Sequence, residues 1–414
     1  MLTWHMRNLL LPLLITGCGL FVSAPPDGGT AAPVDVAHDV QARDPDVQLF
    51  DALPPDALAL DASAPDVQAQ DVVSVDAQIA TDAGADAWFD DQFALRRRYK
   101  VVPISGADEE NFPLRLTIGD VPGAILAVVV ADGDAALATY DRRGPSADGS
   151  EVVYVSIARM GEQPFFVDIY TDGETTHPNN PAEVWRQAGY ERVFHLDEFD
   201  NHGTLDSVTG QHLGQGAVAV VEGHAKGAFS FDGDSDAYDL GPMATDDWTA
   251  LTVDLWFNAD AEEQQGYLLA KTPGTNAAND VFSLSMSNNA RLRGRVATDA
   301  QAGRLAETPN DAIRRGQWQH VALRWPAPAH DEFEIYVDGT KKDDATVQSA
   351  SLRDSAAAVT LGVPQLDVNG TNAHFHGLID EVRISATVRS ASWIQMQANN
   401  DDMVHAPRTE IRPR

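Results

Sequence analysis

A single cysteine, Cys18, stands in 414 residues, so no disulfide can form within the chain and its folded parts must hold by packing or bound metal. Basic residues are also scarce: 29 Lys and Arg face 62 Asp and Glu, a net charge of −33. That argues against nucleic acid as a partner, because phosphate binding needs a basic surface. No apolar run approaches the roughly 20 residues that span a bilayer. Gly-x-Ser-x-Gly, His-Glu-x-x-His and phosphate-binding loops are missing too. What is present is a hydrophobic share of 43%, enough for cores, in a chain long enough for two or three domains.

The cysteine sits in an informative place. Arg7 precedes a short apolar run, Leu9 to Ile15, and Ile15-Thr16-Gly17-Cys18 follows. The run suits the core of a signal peptide. Ile-Thr-Gly-Cys resembles the lipobox of bacterial lipoproteins, which implies that residues 1–18 are a signal segment and that Cys18 is lipidated. The other reading is an ordinary secretory signal with a chance cysteine. Gly19, where an aspartate would resemble an inner-membrane retention signal, points to the outer membrane or cell surface. The expected contact with membrane is the N-terminal lipid alone.

Residues 19–91 are rich in Asp, Ala, Pro and Val. Asp46, Asp51, Asp56, Asp61, Asp66, Asp71 and Asp76 recur every five residues. That period matches neither helix nor strand and builds no continuous apolar face. Prolines disfavour helix and like charges repel, so the expectation is a disordered, extended tether.

Residues 92–175 carry strand-like runs at Tyr99 to Ile104, Phe112 to Ile118, Ile125 to Val130, Glu151 to Ile157 and Pro164 to Tyr170. Gly, Pro and Asp clusters separate them, which predicts a small all-β domain. Arg96, Arg97, Arg98 and Lys100 form the densest basic run, expected at a strand edge or in a solvated loop. R-R-Y-K-V-V-P-I, N-F-P-L-R-L-T-I and V-V-Y-V-S-I resemble a domain of unknown function that often precedes laminin-G-like modules in bacterial surface proteins. Residues 176–189 read as a connector, with a helix opened by Pro181 and closed by Gly189.

In the last third, Val253, Leu255 and Phe257 alternate with Thr252, Asp254 and Trp256, as in a central strand covered on both faces. Val321, Leu323 and Trp325 repeat the pattern. Phe333, Ile335 and Val337 do so before Asp338-Gly339, a hairpin signal. Trp393, Ile394 and Met396 suit a short helix packed on a sandwich. In F-H-G-L-I-D-E-V-R-I, Phe375 to Ile384, alternation puts Asp380 on the buried face with Val382 and Ile384. A core-facing carboxylate is costly unless paired or metal-bound. A-F-S-F-D-G-D-S-D-A-Y-D-L, L-T-V-D-L-W-F, G-Q-W-Q-H-V-A-L-R-W, E-I-Y-V-D-G and G-L-I-D-E-V-R-I, in that order, resemble the laminin-G-like jelly-roll module of the concanavalin A-like superfamily. The resemblance covers about half the chain and implies a jelly-roll domain over residues 190–402. Residues 403–414 read as a disordered tail.

Carboxylates from four places are candidates for one cation: Asp197 or Glu198, Asp232, Asp236 and Asp380. Such oxygens suit calcium, and the resemblance implies calcium near the sandwich rim. A solvated acidic turn plus a hydrogen-bonded Asp380 is the other reading. Tyr238 and Trp248, beside loops, are the candidate ligand contacts. The Glu-x-Asp-x-x-Glu string that glucanases of this superfamily carry on one strand is absent, so no catalytic residue is assigned. The expected function is non-catalytic binding of a glycan or an extracellular or envelope protein. A structural envelope role and a polysaccharide-active glycosidase remain as alternatives.

Overall fold

The structure, a computed structural model, describes residues 88–412 apart from 120, 122, 146–148, 174–176, 199–201, 261–264, 274–278, 327–330, 349, 354 and 365–373. Cys18, the expected signal segment and the expected tether up to residue 87 lie outside the described residues. Within them the chain is all-β, with three short helices among the strands.

The N-terminal body has two sheets. The larger runs in the order Arg408–Ile411, Phe93–Val101, Phe165–Gly173, Leu126–Ala131, Asp134–Leu137. The smaller runs Glu109–Ile118, Glu151–Met160, Tyr140–Arg143. Strand alternation turns Tyr99, Val101, Val167 and Ile169 from one sheet toward Phe112, Leu114, Val153 and Val155 from the other, and these form one core. All five expected strand runs are present.

Three expectations about this body need correction. The 403–414 tail is not without structure, because Arg408–Ile411 adds an edge strand to Phe93–Val101, with Arg96 opposite Glu410. Nor is the basic run solvated. Phe93–Val101 is second in its sheet, so Arg96 and Arg98 are buried and ion-paired: both oxygens of Asp168 accept from Arg98 at 2.7 Å, and Glu410 accepts from Nε of Arg96 at 3.0 Å. The connector, finally, is part of the core. Helix Pro181–Gln187 buries Val184 and Trp185 there, beside Tyr190, Val193, Trp393 and Met396. The C-terminal helices thus complete the N-terminal body.

The C-terminal body is a sandwich. One sheet runs Gln211–Leu213, Thr204–Asp206, Arg192–Phe194, His376–Ser385, Leu251–Ala259, Gln319–Trp325, Glu332–Val337, Thr340–Thr346. Strand Gly227–Asp232, paired with Ala219–Glu222, also joins His376–Ser385. The facing sheet runs Gln215–Ala217, Ala237–Pro242, Ala358–Gly362, Gly266–Lys271, Phe282–Ser287, Arg291–Thr298, Gln301–Glu307. Val253, Leu255, Phe257, Val321, Leu323 and Ile335 meet Leu269, Leu284 and Val296 in the core. The sheets touch closely at Gly294, where a β-carbon would fall 2.4 Å from Cγ2 of Ile335. Asp338 and Gly339 both have positive φ, +49° and +71°, and close a tight hairpin as expected.

Candidate functional site at the seam of the two bodies

The outer face of the larger sandwich sheet carries the polar chemistry of the molecule. Because Val253, Leu255 and Phe257 point into the core, Asp254 and Trp256 point outward. Trp256 lies opposite His320 on one side and Asp380 on the other, and Asp254 lies opposite Arg383. The pairing slips between these positions, and Glu381 takes φ +54°. This one-residue bulge lets Ile379, Val382 and Ile384 all face the core while Asp380 and Arg383 face out. Asp380 therefore does not share the face of Val382 and Ile384, and the expectation from strict alternation is corrected.

The N-terminal body covers this face. Glu381 accepts from His195, Nδ1 to Oε1 at 2.7 Å, and pairs with Arg383. The His195 ring stacks on Tyr154 at 4.8 Å, and its Nε2 lies 3.5 Å from Asp141, which accepts from the Trp185 indole at 2.8 Å. The Arg383 guanidinium lies over Tyr154 and Trp185. All of these groups are buried. Burial opposes a charge on His195, but Glu381 and Asp141 outweigh it and push the imidazole up to about 9. Burial likewise opposes a charge on Glu381, and His195 and Arg383 overcome it, so its carboxyl is held below the usual range.

Asp380 goes the other way. Oδ2 accepts from the amides of His224 and Ala225, each at 2.9 Å. Burial, and then the neighbouring negative charge of Glu381, raise its carboxyl well above the usual range. The two adjacent carboxyls are thus pushed in opposite directions, Glu381 toward the ionised form and Asp380 toward the protonated one, and Oδ1 of Asp380 has no partner.

At the edge of the seam the His224 ring stacks on Trp256 at 3.5 Å, with Trp318 at 5.9 Å. His224 and Trp318 are half-buried. Burial, then the charge of Arg115, lowers His224 to about 3, so its imidazole is neutral. Arg115 grips Asp401 through both carboxylate oxygens, at 2.6 and 2.7 Å. Nε2 of His224, Nδ1 of His320 and Oδ1 of Asp380 have no protein partner. Native interiors leave few such atoms. Their concentration marks the seam as a poorly satisfied part of the interior. The partly exposed rings of His224 and Trp318 at its edge form an aromatic surface of the kind that can stack on a ring. No nucleophile and base face each other there, since Glu381 is locked in ion pairs and Asp380 is buried.

The carboxylates expected to gather on a cation lie apart. Asp197 is buried and accepts from Arg143 at 2.7 Å, with Lys226 at 3.4 Å, while Glu198 reaches the same Arg143 at 3.4 Å. Oδ1 of Asp232 accepts from the amides of Asp234, Ser235 and Asp236, at 2.8 to 2.9 Å, and Oδ2 from the Ser235 hydroxyl. Asp236 accepts from the Asp232 amide at 3.1 Å. Asp232 lies opposite His376, so Asp380 sits four residues, about 13 Å, along the same strand. Among the described residues no three His, Cys, Asp or Glu side chains gather as a metal site. The oxygens face N–H, O–H and guanidinium donors, which does not fit calcium.

The expected ligand contacts also move. Tyr238 is buried in the core, its hydroxyl accepting from the Thr204 amide at 3.0 Å and donating to the Leu213 carbonyl at 3.3 Å. Trp248 is half-buried and packs against the core. The sequence pattern alone does not pick out His195, His224 or Tyr154. The available signal was the pair of polar residues Arg115 and Tyr154 within the largely apolar runs 112–118 and 152–157.

Residues 232–395 match the laminin G family model of the concanavalin A-like lectin/glucanases superfamily. No curated protein matches the chain in sequence. Among solved structures it is similar to domain 4 of AbnA, a GH43 extracellular arabinanase from Geobacillus stearothermophilus, in complex with arabinotriose. The identity is 19% and the TM-score 0.38, over 51% of this chain and 98% of that one. The binding domain of Paraclostridial Mosquitocidal Protein 1 is 13% identical, TM-score 0.41, over 52% of each chain. The ligand-binding domain of botulinum neurotoxin serotype D in complex with N-acetylneuraminic acid is 11% identical, TM-score 0.38, over 51% of this chain and 50% of that one. The chain spans about half the length of the two toxin domains.

Proposed function

We propose, from a C-terminal body built as a concanavalin A-like sandwich, that the chain is a non-catalytic glycan-binding protein of the bacterial cell envelope, anchored through a lipid on Cys18. The observation that carries this reading is the rim of the seam. Trp318 and His224 offer partly exposed aromatic faces beside Trp256. A sugar ring presents an apolar face that can stack on such a surface. The non-catalytic part rests on Asp380 and Glu381, which are 0% and 1% exposed and out of reach of a substrate.

One observation favours a second reading, a structural envelope role: the outer face of the sandwich sheet is already covered by the N-terminal body. Binding of the chain lacking residues 1–18 to a glycan array separates the two. The shared core rules out testing the sandwich alone. Signal on a defined sugar class that Trp318→Ala and His224→Ala each lower about tenfold, with unchanged melting, supports the glycan reading. A blank array from the folded chain overturns it in favour of the structural one.

A further inference from the structure

A groove of about 320 Å³ opens on the N-terminal body, lined by none of the seam residues. Its walls include Leu95, Val121, Arg97, Thr171, Asp172 and Ile411. Leu95 lies directly opposite Ile411 on one neighbouring strand and Thr171 on the other, so all three share a face of the sheet. Arg97, two residues along, shares it too.

The polar atoms of this groove are its distinguishing feature. Nη1 of Arg97 is shielded from solvent and has no hydrogen-bond partner. The Thr171 hydroxyl, on a residue 1% exposed, has none either. Beside them stand apolar surfaces, among them Ile411, 76% exposed. A guanidinium N–H and a hydroxyl left unpaired next to apolar walls call for an acceptor with two oxygens and a short hydrocarbon body. The volume sits at the small end of the roughly 300–1,000 Å³ of ligand pockets. Asp172, exposed at the rim, sets a limit on negative charge and disfavours phosphates and dicarboxylates.

We propose that this groove binds a small organic monocarboxylate, in which one carboxylate sits beside a compact apolar group. Arg97 and Thr171 take the carboxylate, and Leu95, Val121 and Ile411 take the apolar part. The chemistry is shared by a free short-chain acid and by the C-terminal residue of a peptide. This site is independent of the sugar reading at the seam.

The test is titration of the chain lacking residues 1–18 with hexanoate, N-acetylvaline and hexanamide, followed by calorimetry and by amide shifts of Leu95, Thr171 and Ile411. Saturable binding of one of the two acids is expected, with shifts at those amides. Which acid binds distinguishes the two sources. Hexanamide should bind at least about tenfold more weakly than hexanoate where hexanoate is the ligand, and Arg97→Gln should weaken either acid by about the same factor. Thr171→Val should cost a few-fold. Neither acid binding, equal binding of acid and amide, or an unchanged Arg97→Gln that melts normally would each overturn the proposal. Should Arg97→Gln fail to fold, the dependence on the carboxylate in the unmodified chain still decides: for N-acetylvaline the comparison is N-acetylvalinamide.

Discussion

His195 and Glu381, 186 residues apart, meet in a buried hydrogen bond of 2.7 Å that joins the segment leading out of the N-terminal body to the bulge of a central sandwich strand. The pair makes stability depend on pH with a definite sign. His195 rises from 6.5 to about 9 on folding, so its contribution is complete below about 6.5 and is lost as pH climbs through 9. Glu381 falls on folding from 4.5, so its contribution is present above that value and lost in acid. Urea unfolding of the native chain should show stability declining between pH 6.5 and 9. In His195→Gln that decline should be clearly shallower. The variant should also be about 3–5 kcal/mol less stable at pH 6, because Glu381 is left buried with one partner fewer. A parallel decline in both proteins would exclude the pair as its cause.

Asp380 should behave as a neutral acid. Asp380→Asn keeps an oxygen for the amides of His224 and Ala225 and removes a titration that disfavours the folded state as pH rises above 3.8. Denaturant melts should place it within about 1 kcal/mol of the native chain at pH 5. At pH 8 it should be equal to or more stable than the native chain. Asp380→Ala strands two amides and should cost about 1–3 kcal/mol at both.

Removing residues after Met403 uncovers the edge of strand Phe93–Val101 and takes Glu410 from Arg96. The truncated chain should melt several degrees lower and aggregate on warming, as expected of an exposed strand edge. Glu410→Gln, which keeps the strand, should reproduce part of the loss in melting temperature without the aggregation. Light scattering during the melt separates the two effects.

Calcium should not stabilise the described region. A ligand that binds only the folded state raises the melting temperature with its concentration. Equal melting of the chain in millimolar calcium and in EDTA is the expected result, since the oxygens of Asp197 and Asp232 are already occupied by donors. A rise with calcium would mean that the Asp232 turn opens to take the ion.

The strands themselves were legible because alternation is a local property. Val253 to Phe257, Val321 to Trp325 and the Asp338-Gly339 hairpin stand where the pattern puts them. The site was not legible for the same reason. One extra residue at Glu381 reverses the face of Asp380, and no periodicity announces a bulge. Tyr238 follows an acidic turn, yet its neighbours Phe229 and Leu240 draw it into the core. Arg96 and Arg98 look like surface charge until Asp168 and Glu410, far away in sequence, are placed beside them. Pairings across such separations are set by topology, and the local pattern does not contain them.

The edge strand Arg408–Ile411 also fixes an order of events. Arg96 waits for Glu410 across 314 residues, and the N-terminal core waits for Trp393, Met396 and Met403. A chain made or exported from its N-terminus cannot close its first body until nearly all of it has emerged. The sandwich strands from Gly227 to Val337 can pair before that. The body nearest the start of the chain is thus the last to be finished, and loop-closure entropy falls on that final step. A nascent or partly exported chain carries an open sheet at its leading end, which is the state that a chaperone or protease would meet.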